Sequence, residues 1–259
     1  LEEWLQTEWP ELDVYCNSVT EQWCTLAIAG PLSRHLLSEL CDNIALDTDA
    51  FPFMSFREGS VAGIPARVMR VSFTGELSYE ISVAANYGMW MWTALFSAGR
   101  KYGITPFGTE SMHVLRAEKG FIIAGQDSDG TVTPADLGMS WAIGKNKDFI
   151  GKRSMSRPDS VRADRKHLVG LLTEDSREVL PEGGQIVDTM TRALPVKMSG
   201  HVTSSYYSAN LGRSIALALI KAGRERHGER VYVALEDRTL SAIIAPPRFL
   251  DPDGERMNA

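Results

Sequence analysis

The sequence predicts an α+β protein that ends in a small all-β domain. Residues 71–83 alternate apolar and polar side chains on both sides of a Thr-Gly-Glu turn, as in two half-buried strands. In 32–40 and 86–102, apolar residues recur every three or four positions, which is typical of amphipathic helices. From residue 167 onward, short strand-like segments follow one another at regular spacing, which is typical of a barrel or a sandwich.

Length and composition are those of a globular protein. The 259 residues suffice for one large domain or two ordinary ones, with 44% hydrophobic and 23% charged residues. The net charge of −6 argues against nucleic acid or a membrane surface as a partner, and no apolar run is long enough to span a bilayer. Three cysteines without a CxxC pair predict neither a disulfide framework nor a metal site and favour the cytoplasm.

The first 60 residues predict a mixed arrangement. The chain begins with Leu1 and not with Met, which favours a fragment of a longer protein. Helical spacing predicts a helix over residues 1–8, and apolar, β-branched stretches predict strands over 12–15 and 23–29. Gly30-Pro31 then starts a helix, whereas residues 42–60 are expected to be irregular.

The hairpin that follows contains one notable carboxylate. Met69, Val71 and Phe73 share one face before the turn, and Tyr79, Ile81 and Val83 share one after it. Glu80 falls on the face opposite to those last three residues. It therefore meets either water or a ligand, and the pattern alone favours water.

Two helices and a loop connect the hairpin to the second half of the chain. The first helix is predicted from Asn86 to Tyr102, with a stripe of Met89, Trp92, Leu95, Phe96 and Gly99. The second is predicted from about Gly108 to Lys119, ended by Gly120. Residues 121–134 are polar and glycine-rich and predict a loop.

That loop superficially resembles a calcium site. Asp127, Asp129 and Thr131 have the right spacing, but Val132 replaces the glycine and Gly138 replaces the glutamate that such a loop requires. We therefore do not predict a metal site.

Domain boundaries follow from composition. Residues 153–166 are rich in arginine and lack periodicity, which predicts an exposed linker. The expected domains are 1–153 and 154–259. The second contains predicted strands over 167–172, 185–187, 200–205, 215–220, 230–235 and 241–244.

No catalytic constellation is evident. HExxH, GxSxG, Walker and GxGxxG motifs are absent, and the five histidines are scattered. Glu80 is the best polar candidate, because a carboxylate that accepts two hydrogen bonds suits a ring with adjacent amino and imino donors, such as a pterin.

Several blocks then add a resemblance. Residues 73–80 resemble the folate-binding block of the glycine-cleavage aminomethyltransferase (T-protein) family. Further blocks of that family follow in the same order, at 115–120, 125–127 with Thr133-Pro134, 144–152 and 200–204. The resemblance covers nearly the whole chain and implies a T-protein-like folate-binding domain, of which residues 1–153 are the C-terminal portion, followed by a β-barrel domain.

Within the family, residues 113–123 and 200–206 are similar to the α subunits of heterotetrameric sarcosine oxidases. This similarity implies that the chain binds tetrahydrofolate and transfers to it the one-carbon unit of oxidised sarcosine, giving 5,10-methylenetetrahydrofolate. The other sarcosine oxidase subunits are the implied partners. Flavins and NAD are expected only in the missing part of this subunit or in partner subunits, and the segment alone is expected to be inactive.

The resemblance also implies site residues. Glu80 corresponds to the carboxylate that holds the pterin, and Phe73 and Phe121 correspond to aromatic positions of the pocket. Met112 stands where T-proteins carry an arginine for the folate tail, and the family's catalytic aspartate has no counterpart here, so no catalytic residue is predicted. Two alternatives are an accessory folate-binding protein and a scaffold without transfer activity.

Overall fold

The computed structural model describes residues 1–190 and 195–259, which form two compact units. The first unit contains Leu1–Ser72, Glu76–Pro106 and Arg256–Ala259, and the second contains Phe73–Gly75 and Phe107–Glu255. These units are defined by how compactly their residues pack and not by sequence domains. The domain boundary at residues 153 and 154 stays a prediction.

The first unit combines a sheet with short helices. Its elements in chain order are α1 (Glu2–Thr7), β1 (Trp23–Ala29), α2 (Ser33–Ser38), β2 (Ser55–Val61), β3 (Ile64–Arg70), β4 (Ser78–Ala84) and α3 (Gly88–Gly99). The four strands form an antiparallel sheet in the order β1-β4-β3-β2.

The core of this unit lies on one face of the sheet. Tyr79, Ile81 and Val83 on β4 are buried, as their alternation predicts, and α2 and α3 pack against β4. Leu37 of α2 and Met91 of α3 belong to the same apolar cluster. Each fully buried side chain of this size contributes about 1.5–3 kcal/mol, so this face holds the sheet and the helices together.

The hairpin is confirmed, but its first strand lies further upstream than predicted. β3 ends at Arg70, so Val71 and Phe73 lie in the connection to β4. The buried residues of β3 are Ala66, Val68 and Arg70, one position out of phase with the predicted set. The reason is that β3 pairs with β2 as well as with β4, and the three-strand register decides which face is buried.

Two predictions for the first 60 residues are wrong. Residues 12–15 are not a strand, and Ser55–Val61 is one, although 42–60 was expected to be irregular. Leu12, Val14 and Tyr15 are exposed, so the short apolar stretch has no sheet to join. The other early elements agree with the predictions.

The predicted helix over 86–102 contains α3, with a left-handed Gly103 after it. Its buried face agrees with the predicted stripe at Leu95 and Gly99 but not at Met89 and Trp92, which are exposed. Gly88 and Met91 are buried instead. The helix approaches its neighbours closely at Gly88 and Gly99, and this close approach fixes the face that packs.

The second unit contains a helix and a closed barrel. Its elements are α4 (Thr109–Glu118), β5 (Lys166–Thr173), β6 (Gln185–Val187), β7 (Gly200–Ser208), β8 (Arg213–Lys221), β9 (Arg230–Ala234) and β10 (Thr239–Ala245). The strands close in the order β10-β5-β8-β7-β6-β9. A last short helix, α5 (Glu255–Asn258), follows the barrel in the chain, and its residues from Arg256 onward belong to the first unit.

All six predicted strands are present, and the choice between barrel and sandwich is settled in favour of a barrel. Its interior is apolar, with Val169, Val202, Ala218 and Val231 among the fully buried or nearly fully buried residues. Among the helices of the described residues, none is both long enough and apolar enough to cross a membrane.

Candidate functional site

Glu80 lies at the centre of the first unit's sheet. β4 is an inner strand, and the register places Ala27 of β1 on one side of Glu80 and Met69 of β3 on the other. The side chain is half-buried and points away from the face that buries Tyr79 and Ile81. Within the described part of the chain, its carboxylate has no side-chain hydrogen bond or ion pair, so both oxygens can accept hydrogen bonds from a ligand.

Two pairs of polar side chains on this face are bonded to each other. The Ser82 and Thr25 hydroxyls are 2.8 Å apart and share a hydrogen bond. Arg67 donates to Glu58 from both Nε and Nη2, and its guanidinium lies 5.0 Å from the centre of the Trp23 ring. Glu80 therefore differs from Glu58, the other carboxylate that the register places on this face.

Phe73 lies in the connection between β3 and β4 and belongs to the second unit. Its side chain is half-buried. Two positions further on, Gly75 has φ +82°, and a Cβ there would lie 2.2 Å from Cγ of Lys119. The turn after Phe73 therefore requires glycine for its backbone conformation and also for space.

Phe121 follows α4, and its backbone is fixed by the way that the helix ends. Gly120 has φ +68° and its N–H donates to the carbonyl of Ala117, while the Phe121 N–H donates to the carbonyl of Arg116. These two bonds form a Schellman motif. Phe121 is thereby placed at a defined position, with its side chain half-buried.

Three charged side chains at the C-terminal end of α4 are buried, and each has a partner. Arg116 pairs with Asp127, and Lys119 pairs with Asp251 at 2.8 Å. Glu118 accepts hydrogen bonds from Ser208 and Asn210. Sequence reasoning noted the blocks 115–120 and 125–127 but not their pairing. The sequence does contain a signal for this pairing: charged residues of both signs occupy positions at the end of α4 where apolar residues would be expected.

The candidate calcium ligand Asp127 has a different role. Its side chain is fully buried and accepts hydrogen bonds from Arg116, Thr203 and Ser204. Among the described residues, no group of three or more His, Cys, Asp and Glu side chains is placed to hold a metal ion.

The remaining candidates have no evident chemistry. Met112 lies half-buried on α4 and offers no charge for a folate tail. Burial, with a smaller contribution from Asp42, raises the pKa of the Cys41 thiol to about 11, so this cysteine is not an activated nucleophile. Cys16 is exposed and Cys24 is half-buried, and all three cysteines are free.

Comparison with known proteins identifies the family. The family model of the GCVT N-terminal domain matches residues 1–147, and that of the glycine cleavage T-protein C-terminal barrel domain matches residues 166–251. The chain belongs to the glycine cleavage T-protein family. The predicted fold class, an aminomethyltransferase-like domain followed by a barrel, is thereby confirmed.

Particular relatives refine this placement. The chain is 51% identical over 259 residues to the sarcosine oxidase subunit alpha of Corynebacterium sp. (strain U-96), covering 99% of this chain and 27% of that protein. It is 40% identical over 258 residues to the sarcosine oxidase subunit alpha of Rhizobium meliloti (strain 1021), covering 98% and 26%. It is also 30% identical over 217 residues to the aminomethyltransferase of Thermotoga maritima, covering 84% and 56%. The predicted similarity to sarcosine oxidase α subunits is confirmed.

A solved structure shows the same fold. The aminomethyltransferase T of the glycine cleavage system from Bartonella henselae has a TM-score of 0.72 to this chain at 20% sequence identity, covering 89% of this chain and 60% of that one. The chain spans about a quarter of the length of the sarcosine oxidase subunits that it matches.

Proposed function

We propose that this chain binds tetrahydrofolate and that Glu80 holds the pterin ring. The observation that carries the proposal is the state of the Glu80 carboxylate, which is half-buried, central in its sheet and without a partner among the described residues. A pterin presents adjacent N–H donors, and one carboxylate can accept both in a charge-assisted pair. Glu80 also belongs to the block that resembles the folate-binding block of the family.

We propose Phe73 and Phe121 as aromatic contacts of the folate. Each side chain is half-buried, and each lies within two residues of a glycine with a positive φ. Phenylalanine can stack on a planar ring but cannot donate a hydrogen bond from a hydroxyl, so Phe73 would contribute stacking alone. Because Met112 is uncharged, the folate tail would need other partners.

The reaction that we propose is the transfer of a one-carbon unit from oxidised sarcosine to tetrahydrofolate. Two C–N bonds form to the two folate nitrogens, each of which gives up its N–H hydrogen. When the carbon arrives as formaldehyde, its C=O bond breaks and the oxygen leaves with both hydrogens as water. When it arrives as the imine of oxidised sarcosine, its bond to the amino nitrogen breaks and glycine leaves. The product is 5,10-methylenetetrahydrofolate. Holding the two reactants together lowers the barrier, and such proximity contributes up to about 7–11 kcal/mol in well-oriented systems.

The relatives' names support this assignment, because two of them are alpha subunits of sarcosine oxidase. On this proposal the oxidation of sarcosine, with its flavins and NAD, belongs to other parts of the enzyme or to partner subunits. The chain described here supplies the folate site. A cytoplasmic location also stays a prediction.

A second candidate is folate binding without transfer, as an accessory or scaffold domain. The residues proposed here for the folate, Glu80, Phe73 and Phe121, account for its binding and assign no group to the transfer step. Binding would then be retained in the absence of any product.

The proposal is tested in the intact enzyme by measuring two products together. Glu80→Ala is expected to abolish tetrahydrofolate-dependent formation of 5,10-methylenetetrahydrofolate while sarcosine oxidation continues at its wild-type rate. Equal loss of both activities would contradict a folate role for Glu80. A wild-type enzyme that binds tetrahydrofolate but forms no methylene product would favour the second candidate.

A further inference from the structure

One residue holds both backbone polar groups of Phe121. The Phe121 N–H donates to the carbonyl oxygen of Arg116 at 2.9 Å, and the Phe121 carbonyl accepts from Nη1 of the Arg116 side chain at 3.0 Å. The residue that ends α4 is thus also the residue that fixes the aromatic position after it.

Arg116 is in turn fixed by Asp127. Nη1 of Arg116 lies 2.5 Å from Oδ2 of Asp127, and both side chains are 0% exposed. The same Oδ2 accepts from the backbone N–H of Ile123 at 2.9 Å. The loop from Phe121 to Asp127 therefore closes on its own buried ion pair, although it contains no helix or strand.

A bulge in the barrel completes this arrangement. The register of β7 shifts between Val202 and Ser204. In a regular strand, successive side chains point to opposite faces, but here the consecutive hydroxyls of Thr203 and Ser204 both donate to Oδ1 of Asp127, at 2.5 and 2.7 Å. Ser204 Oγ also accepts from Nη2 of Arg116 at 2.7 Å.

We propose that Arg116 and Asp127 are positioning residues for Phe121, and that Thr203 and Ser204 fix them from the barrel. This inference rests on the proposed function, in which the Phe121 ring contacts the folate. A ring carried on an irregular loop loses affinity if the loop must be ordered on binding. The buried pair orders the loop before the folate binds, as residues that hold a ligand-contacting side chain in place do in other binding sites.

The strand β7 offers a matched pair of variants. Ser204 and Ser208 are both fully buried, and each donates to a buried carboxylate near the end of α4. Only Ser204 reaches the ion pair that holds Phe121, because Ser208 donates to Glu118. Ser204→Ala and Ser208→Ala each remove one hydroxyl and no charge, so both proteins are expected to fold.

Two measurements on the intact protein compare them. Titration with tetrahydrofolate is expected to show a Kd that rises about three- to tenfold in Ser204→Ala, in the range of a neutral hydrogen bond's contribution, and that stays at the wild-type value in Ser208→Ala. Amide hydrogen exchange without ligand is expected to speed up at Phe121 and Ile123 in Ser204→Ala alone.

A double variant tests whether the effect passes through the ring. If the ion pair acts by positioning Phe121, then Phe121→Leu and Phe121→Leu/Ser204→Ala bind tetrahydrofolate with the same Kd. Fully additive losses, or equal behaviour of Ser204→Ala and Ser208→Ala, would overturn the positioning role. A wild-type protein that binds no tetrahydrofolate would instead overturn the proposed function. The exchange experiment would still show whether the Arg116–Asp127 pair orders the loop.

Discussion

Two carboxylates in this chain have opposite environments. Asp127, in the second unit, is fully buried and accepts hydrogen bonds from Arg116, Thr203, Ser204 and the Ile123 backbone. Glu80, in the first unit, is half-buried and has no partner among the described residues. A buried charge that is fully paired maintains structure, whereas a partly buried charge left unpaired is a candidate for ligand binding. Pairing, rather than burial alone, therefore separates the two roles.

The largest expected effect is on stability, at Asp127. Asp127→Asn leaves the Arg116 cation buried without its counter-charge, which is expected to lower the free energy of unfolding by about 3–5 kcal/mol. Chemical denaturation measures this loss. The control is Asp159→Asn, since Asp159 is exposed, its partner Arg162 is exposed too, and its other partner Arg165 keeps its pair with Asp136. Its expected loss is at most about 1 kcal/mol. Similar losses in the two variants would remove the contrast between buried and surface pairs.

A smaller effect is expected from pH. Burial, and then the neighbouring Lys166 cation, hold the pKa of His201 below its ordinary value of 6.5, although Asp129 acts in the opposite direction. Burial is also the main cause of the lowered pKa of His167. The unfolded chain therefore takes up protons at a higher pH than the folded one.

It follows that the stability contributed by these neutral histidines is present above pH 6.5 and is lost as the pH falls from 6.5 through the folded pKa values. Urea denaturation between pH 7.5 and 5, about the range in which histidine titrates, would show the fall. In His201→Gln the fall is expected to be shallower. An unchanged slope in that variant would argue that other groups cause the pH dependence.

The smallest effect is expected at Glu80. Because the carboxylate has no partner among the described residues, Glu80→Gln should change the free energy of unfolding by no more than about 0.5 kcal/mol in the absence of ligand. The same denaturation experiment measures it. A loss as large as that of Asp127→Asn would show that Glu80 has a structural role, and the comparison between the two carboxylates would fail.

The barrel could be predicted from the sequence almost completely, because its strands are short, rich in β-branched residues and separated by turns. The sheet of the first unit was harder to predict. β2 contains Arg57, Glu58 and Gly59, which have little strand propensity, and it becomes a strand by pairing with β3. That pairing also shifted the buried face of β3 by one residue.

The candidate site was predictable only in part. Period-2 alternation placed Glu80 on the correct face of β4, and the family resemblance supplied its proposed chemistry. The contact between Arg116 and Ser204 joins residues 88 positions apart and depends on a bulge in β7. No local pattern in the sequence specifies such a contact, because a bulge has no fixed period.

The most direct test of the central claim is titration of the intact protein with tetrahydrofolate. Glu80→Gln removes the charge with little change in shape, and Glu58→Gln serves as control because Glu58 lies on the same face but is paired with Arg67. The loss of a hydrogen bond to a charged group predicts a Kd that is about 10- to 150-fold higher for Glu80→Gln and unchanged for Glu58→Gln. Wild-type affinity in Glu80→Gln would contradict the account.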